Sequence, residues 1–168
     1  MCLVALASDP DASQPLVLAA NRDEYHDRPA APAAWWSDRP FVLGGRDGRA
    51  GGTWLGVSRG GRFAVVLNDG RRSHPPGAPS RGELVPGFLE ADDAGAWLAA
   101  LVRARARYAG FHLVAGDVDR VHYVGSLTPQ PVALGRGIHV IDNDGPDSGT
   151  PRARRARSCL AGPLAAGD

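Results

Sequence analysis

Residues 16–24 read Leu-Val-Leu-Ala-Ala-Asn-Arg-Asp-Glu, an apolar run that ends abruptly in four polar residues. The apolar half predicts a β-strand from Leu16 to Ala20. A second apolar run, Cys2 to Ala7, precedes it across the turn residues Asp9-Pro10-Asp11. Together the two runs predict a hairpin whose first strand is buried and whose second strand carries Asn21–Glu24 at its end.

Short apolar runs separated by glycine-rich turns continue along the chain and predict further strands. One hairpin is predicted from Trp54 to Ser58 and Arg62 to Asn68, another from Phe111 to Ala115 and Arg120 to Val124, and a last strand from Gly137 to Ile141.

A helix is predicted between these strands, from about Asp92 to Tyr108, because apolar residues recur there at three- and four-residue spacing. Asp92 or Asp93 is placed to cap it and Gly110 to end it. A shorter helical piece is predicted around Glu83 to Glu90, bent or started at Pro86. Strands, then helices, then strands again is the order of an α+β layered domain rather than of alternating βαβ units.

Composition limits the classes of function. The 168 residues, 43% of them hydrophobic, fit a single domain over residues 1–168. The 19 basic and 18 acidic residues leave a formal charge of +1, which argues against a nucleic-acid partner. The basic tail from Pro151 to Asp168 is predicted to be the solvated start of a helix that is cut short. No apolar run approaches the roughly 20 residues of a membrane span.

The cysteines and histidines give no sign of a metal or a disulfide framework. Cys2 and Cys159 lie at opposite ends of the chain and form no Cys-x-x-Cys pair, so we predict a reduced, cytoplasmic protein. His112 and His122 lie in adjacent predicted strands and could face each other, although a structural role is the favoured interpretation. No metal site is predicted.

Charged residues recur beside glycines at strand ends. Asn21–Glu24 is followed by Gly44-Gly45-Arg46-Asp47, by Gly51-Gly52-Thr53-Trp54-Leu55-Gly56 and by Asn68. One such cluster is explained by a turn alone. Repetition favours a backbone that approaches a ligand or another chain closely.

These motifs resemble those of the family named for its Asn-Arg-Asp-Glu (NRDE) sequence, which includes the transport and Golgi organisation 2 proteins. The residues that carry the resemblance are Met1-Cys2-Leu3, Leu18–Glu24, Arg28-Pro29, Trp35-Trp36, Gly44–Asp47, Gly51–Gly56 and Ser80-Arg81-Gly82, and after about residue 90 the match thins. The family usually has a longer C-terminal part, and Thr150-Pro151-Arg152 stands where it often carries Trp-Pro-Lys. The chain is therefore expected to be truncated or to lack the last elements of the fold.

The resemblance implies a fold like that of the N-terminal-nucleophile (Ntn) hydrolases, an αββα four-layer sandwich with the first residue of the mature chain at its centre. Removal of Met1 would leave Cys2 with a free α-amine, whose pKa of about 7.7–8.0 lets it take the proton of the thiol. Cys2 would then attack the carbonyl of an amide, or catalyse a related acyl transfer, without a cofactor. The alternative interpretation of Cys2 as a small apolar strand residue stays open.

The resemblance also assigns roles to other residues of the predicted site. Arg22 and Asp23 would position the substrate or the amine, and amides near Asn68 would stabilise the oxyanion. The predicted substrate contacts are Asn21, Glu24, Trp54 and Asn143.

A second function is implied by the eukaryotic relatives, which are associated with haem trafficking and lipid homeostasis. In that case the chain would be a carrier on a hydrolase-like scaffold, with Trp35, Trp36 and Trp54 lining a pocket for a flat apolar ligand. Haem would then be a bound ligand. The sequence does not indicate an oligomeric state. The expected partner is thus a small-molecule amide or an apolar ligand.

Overall fold

The structure, a computed structural model of the chain, describes residues 2–9, 12–71 and 75–166. Met1, whose removal is predicted, and Pro10 and Asp11 of the predicted turn lie outside the described residues. The strands are β1 (Leu3–Ser8), β2 (Leu16–Asn21), β3 (Ala30–Trp35), β4 (Val42–Asp47), β5 (Leu55–Ser58), β6 (Phe63–Asn68), β7 (Phe111–Gly116), β8 (Val121–Gly125), β9 (Val132–Leu134), β10 (Gly137–Asp142) and β11 (Gly145–Pro146). The helices are α1 (Leu84–Leu89), α2 (Ala94–Ala104) and α3 (Pro151–Ala166).

The smaller sheet has four strands in the order β11-β10-β1-β2, paired antiparallel. The predicted first hairpin is confirmed, with Leu3 opposite Asn21 and Ser8 opposite Leu16. Since β10 pairs with the other side of β1, the first strand lies inside the sheet, and its residues from Val4 onward are buried. The polar residues that follow β2 therefore emerge beside the start of β1.

The larger sheet has seven antiparallel strands in the order β3-β4-β5-β6-β7-β8-β9. The two predicted hairpins are confirmed as β5–β6 and β7–β8. His112 and His122 do not face each other, because His112 lies opposite Gly125 and His122 lies opposite Ala115. An odd separation along β7 puts the two side chains on opposite faces of the sheet.

The helices agree with the predicted pattern except at their ends. Asp93 caps α2 by accepting a hydrogen bond from the backbone N–H of Ala96 at 2.9 Å, and α2 ends at Ala104 in a 3₁₀ turn. Pro86 lies in the first turn of α1, where no N–H is needed within the helix. The tail from Pro151 onward is helical, since α3 continues to Ala166. No helix of the described ranges is both long enough and apolar enough to cross a bilayer.

Side-chain alternation along the strands places one apolar cluster between the two sheets. Alternate residues of β1 point to this interface, and β6 and β7 contribute the facing side chains. The cluster includes Cys2, Val4, Leu6, Phe63, Val65, Leu67, Val114, Val121, Tyr123 and Ile141.

The outer face of each sheet is covered by helices. Ala5 and Val140 of the smaller sheet pack with Ala153 of α3. A larger cluster joins β6 and β7 to α1 and α2 through residues such as Val66, Val85, Phe88, Leu101 and Leu113. The molecule is therefore an α+β sandwich of two antiparallel sheets, with its layers in the order helix, sheet, sheet, helix.

Candidate functional site

A cavity of about 490 Å³ lies where the end of the β1–β2 hairpin meets the larger sheet. Its wall is made by both sheets and by the loop before α1. The chemistry-bearing residues that line it are Cys2, Arg22, Asp23, Glu24, Arg28, Arg46, Asp47, Thr53, Trp54, Asn68, Ser80 and Arg81.

Cys2 occupies the wall of this cavity because of the hairpin register. It precedes Leu3, which pairs with Asn21, so Cys2 lies level with the residues that follow β2. Cys2 is 8% exposed, and its Sγ lies 3.8 Å from the backbone carbonyl oxygen of Asp23, the acceptor of a weak S–H···O contact. The structure thus brings the predicted nucleophile and Asp23 together.

The Asn21–Glu24 segment is held by its own side chains and by β4. Asn21 Nδ2 donates to Asp23 Oδ1 at 2.7 Å, although Asn21 itself does not line the cavity. Arg22 Nη2 lies 3.2 Å from Glu24 Oε2 and 3.8 Å from Asp47 Oδ2. Arg22 is therefore engaged by carboxylates rather than by the thiol.

Asp47, at the end of β4, connects this segment to the larger sheet. It accepts a 2.7 Å hydrogen bond from Arg28 Nε and bonds from the backbone N–H groups of Arg49 and Ala50 at 2.9 and 3.0 Å. Burial alone raises the pKa of the Asp47 carboxyl, but these hydrogen bonds outweigh it and the net pKa is lowered. Asp47 stays ionised at neutral pH, as its role between two arginines requires.

Asn68 and Asn143 are in contact, but only Asn68 lines the cavity. Asn68 ends β6 and lines the cavity, as the prediction of a polar strand end requires. Asn143 does not line it, and its Nδ2 donates to the backbone carbonyl of Asn68 at 2.7 Å. The structure therefore places the Asn143 side-chain amide against the backbone of Asn68 rather than in the cavity wall.

The three tryptophans do not form one pocket. Trp54 lines the cavity. Trp36 is buried in the core beneath β4 and donates from Nε1 to the carbonyl of Gly44 at 3.0 Å. Trp35 is 41% exposed, with the Arg59 guanidinium 4.0 Å from its ring centroid. The flat aromatic pocket expected for a carrier is not assembled from these residues.

Arg81 is a wall residue that the sequence interpretation did not select. It lies in the short 3₁₀ turn before α1, and its Nη1 donates to the carbonyl of Gly110 at 2.9 Å. Burial, and then the nearby charge of Arg28, lower the pKa of its guanidinium. The motif Ser80-Arg81-Gly82 was the available signal, but one arginine in a loop does not suggest a site by itself.

The glycine motifs bring two loops of this wall into backbone contact. A Cβ at Gly52 would lie 2.5 Å from the carbonyl carbon of Gly82, and Thr53 N–H donates to the Gly82 carbonyl at 3.1 Å. At Gly52 the close approach is therefore to another segment of the same chain, not to a ligand or another chain, and it positions Arg81.

A buried polar cluster lies behind Asn143, between the two sheets. His112 is 1% exposed, its Nδ1 is 2.7 Å from Tyr123 Oη, and its Nε2 is 3.3 Å from the Asn143 carbonyl oxygen. Burial lowers the pKa of His112, and it raises the pKa of Tyr123 to about 12. The neutral imidazole therefore accepts from the Tyr123 hydroxyl at Nδ1 and donates from Nε2 to the Asn143 carbonyl.

Among the residues that the structure describes, no group of three or more His, Cys, Asp and Glu side chains could hold a metal ion. The fold and the site together define an α+β two-sheet protein with a charged cavity at the end of its first hairpin.

Comparison with known proteins identifies the family. The family model described as Transport and Golgi organisation 2 matches residues 1–166. The chain is 36% identical over 157 residues to the Transport and Golgi organization 2 homolog of Mus musculus, covering 85% of this chain and 57% of that protein. The Homo sapiens homolog is 35% identical over the same length, with the same coverage. The Transport and Golgi organization protein 2 of Drosophila melanogaster is 35% identical over 103 residues, which are 55% of this chain and 36% of that protein.

The chain belongs to the Transport and Golgi organisation 2 family, as its motifs indicated. It spans 57% of the length of the mouse and human relatives.

Proposed function

We propose that this chain hydrolyses the C–N bond of a small-molecule amide, or transfers the acyl group, with Cys2 as an N-terminal nucleophile on an Ntn-hydrolase-like scaffold. One observation carries the proposal: Cys2 is both a residue of the inter-sheet core and part of the wall of a cavity shared with Arg22, Asp23 and Asn68. The predicted cytoplasmic location belongs to the proposal, because a free thiol persists in a reducing compartment.

The chemistry needs a free α-amine on Cys2. With Met1 removed, that amine takes the thiol proton, and the thiolate attacks the carbonyl carbon of the amide. The tetrahedral intermediate collapses to a thioester, and the departing amine leaves with the proton held by the ammonium group. Water then hydrolyses the thioester, or a second amine accepts the acyl group.

The surrounding residues have distinct roles in this reaction. Asp23 lies beside Cys2 and would stabilise the ammonium form of its amine. The side-chain amide of Asn68 would donate to the oxyanion. Arg22, already engaged with Glu24 and Asp47, would hold the segment in place.

Two measurements test the proposal. The intact mass of the purified protein is expected to show the loss of Met1. In a Cys159→Ser background, which removes the exposed second cysteine, an activated acyl ester is expected to form an adduct on Cys2 that hydroxylamine releases. Cys2→Ala should abolish the adduct.

Retention of Met1, or an adduct that persists in Cys2→Ala, would contradict the proposal. An adduct that resists hydroxylamine would also contradict it, because it would mean acylation of the amine rather than turnover through a thioester.

The carrier function is the alternative outcome of the same experiments. Haem added to the unreacted protein would then give a shifted Soret band that is lost in Cys2→Ala, since Cys2 is the one cysteine or histidine among the cavity-lining residues that the structure describes. Such a band without any thioester would favour the carrier.

A further inference from the structure

Arg81 differs from the other cations of the cavity in its partners. Its one hydrogen bond within the described residues goes to the neutral carbonyl of Gly110, and it forms no ion pair there. Four of its five N–H donors are therefore left over. Its Nε and Nη2 atoms are not among the buried polar atoms that lack a partner, so they are open to the cavity that Arg81 lines.

The other arginines of the wall are neutralised by neighbouring carboxylates. Arg28 Nε lies 2.7 Å from Asp47 Oδ2 and 3.9 Å from Glu24 Oε2. Arg22 approaches the same two acids. The two positive charges of Arg22 and Arg28 are therefore matched by the two negative charges of Glu24 and Asp47.

Arg46 is neutralised outside this network. Its guanidinium binds both carboxylate oxygens of Asp38, with Nη2 at 2.8 Å from Oδ2. Its charge is therefore not available to a ligand, and Arg81 is the wall arginine without an acidic partner among the described residues.

We infer that Arg81 binds a carboxylate on the substrate of Cys2, so that the preferred substrates are amides that carry a free carboxylate group. This inference rests on the proposed function for the identity of the bond that is cleaved. A guanidinium pairs with a carboxylate through two parallel hydrogen bonds, which fixes the orientation of the substrate as well as its position.

The charge balance favours a carboxylate over a phosphate. One arginine without an acidic partner matches one negative charge, whereas a phosphate monoester carries about two at neutral pH. An anion bound to Arg81 would also offset the cost of half-burying its guanidinium, which Cys2 and Glu24 stabilise only by longer-range electrostatic attraction.

The position of Arg81 is fixed independently of any ligand. Gly82, the next residue, is held by the Thr53 N–H at 3.1 Å and packs against Gly52. The bond to the Gly110 carbonyl holds one end of the guanidinium. Because the Arg81 side chain is already held in place, little conformational entropy is lost when a ligand binds, which favours affinity.

The inference is tested by binding to the Cys2→Ala, Cys159→Ser protein, which cannot form a thioester. Glutaranilic acid and its methyl ester differ by one carboxylate on the acyl side, and 4-(pentanoylamino)benzoate and its methyl ester differ by one on the amine side. Calorimetry is expected to show at least one carboxylate bound about 10- to 100-fold more tightly than its ester, the range of a charge-assisted hydrogen bond.

The preference is expected to disappear in Arg81→Gln and to survive in part in Arg81→Lys. Arg103→Gln, which removes an exposed arginine of α2, is the matched control for loss of one charge and should keep the full preference. Thermal unfolding of each variant verifies that the fold is intact.

Equal affinity for acid and ester in both pairs, absence of binding, or a preference that persists in Arg81→Gln would overturn the inference. So would tighter binding of the phosphonate analogue than of the carboxylate. If Arg81→Gln instead changes only the pH profile of Cys2 alkylation in the Cys159→Ser protein, Arg81 influences the ionisation of the Cys2 thiol and the inference is wrong.

The two proposals can fail separately. A carboxylate preference that depends on Arg81, without any thioester on Cys2, would overturn the hydrolase and retain the ligand class. A thioester on Cys2 without a carboxylate preference would retain the hydrolase and overturn the ligand class.

Discussion

At the scale of single residues, the cavity wall depends on how closely two loops pack. Gly52 and Gly82 meet backbone to backbone, and a Cβ on Gly52 would lie 2.5 Å from the Gly82 carbonyl carbon and 2.6 Å from its oxygen. Backbone atoms cannot move aside as a flexible side chain does. The absence of a side chain at position 52 is therefore a requirement of the site.

Gly52→Ala is expected to lower the free energy of unfolding by about 1–3 kcal/mol, the usual cost of overpacking. Urea denaturation would measure the change. Gly60→Ala is the matched control, because its nearest atom, Ser58 Oγ, is 3.8 Å from the added Cβ. Equal effects of the two substitutions would show that the loops do not pack as described.

The position of a site residue was predictable from the sequence where that residue lies at the end of a strand. Cys2, Arg22 and Asn68 adjoin or end apolar runs, so the pattern of the chain alone placed them at strand ends. Arg81 gave no such signal, because the role we infer for it depends on its forming no ion pair with the described residues, and ion pairs are a property of the folded chain. Asn143 was selected as a ligand contact, but the fold turns its amide toward the backbone of Asn68.

At the scale of elements, the predictable strands are those rich in valine, leucine and phenylalanine. β3, Ala30–Trp35, was not predicted, because it is mostly alanine, contains Pro32, and is exposed along its length. A proline is tolerated there because β3 is an edge strand with an irregular register against β4. β4 was not predicted either, because its glycines interrupt the apolar pattern of a strand. Close packing explains the glycine at position 44, since a Cβ there would lie 2.8 Å from the Leu55 carbonyl oxygen.

The start of α2 allows a direct test at this scale. Asp93→Ala is expected to lower the free energy of unfolding by about 0.5–2 kcal/mol, because the backbone N–H of Ala96 loses its acceptor. Thermal or urea unfolding would measure it. Asp92→Ala, one residue earlier and not the cap, should cost clearly less. A larger effect at Asp92 would mean that the helix begins one residue sooner.

At the scale of the whole molecule, a polar clasp joins the two sheets beside their apolar interface. We use this term for His112, Tyr123, Asn143 and the backbone of Asn68, which are linked by the hydrogen bonds described above. His112 belongs to the larger sheet, whereas Asn143 directly follows β10 of the smaller one. The clasp therefore fixes how the sheets lie against each other at the edge where the cavity forms.

Burial of His112 gives stability a pH dependence of known sign. Because its pKa is lowered in the folded protein, the unfolded chain takes up a proton first as pH falls through the ordinary value of about 6.5. The free energy of unfolding should therefore decrease between pH 7.5 and 5.5, with a slope of up to about 1.4 kcal/mol per pH unit from this group.

Urea denaturation across this range would measure the slope, which His112→Gln should reduce. His26→Gln, a change at an exposed histidine, is the control. An unchanged slope in His112→Gln would show that the histidine is not kept neutral by its surroundings.

In the proposed function, the position of Cys2 limits how the nucleophile of this scaffold can change. A nucleophile on a loop can be moved by insertions or deletions, but residue 2 is packed between the sheets and fixed by the register of the first hairpin. Within that space, serine and threonine are the hydroxyl nucleophiles of comparable size. One codon could thus exchange a thiol for a hydroxyl while every strand stayed in place, so that diversification of such proteins would proceed by swapping the attacking atom.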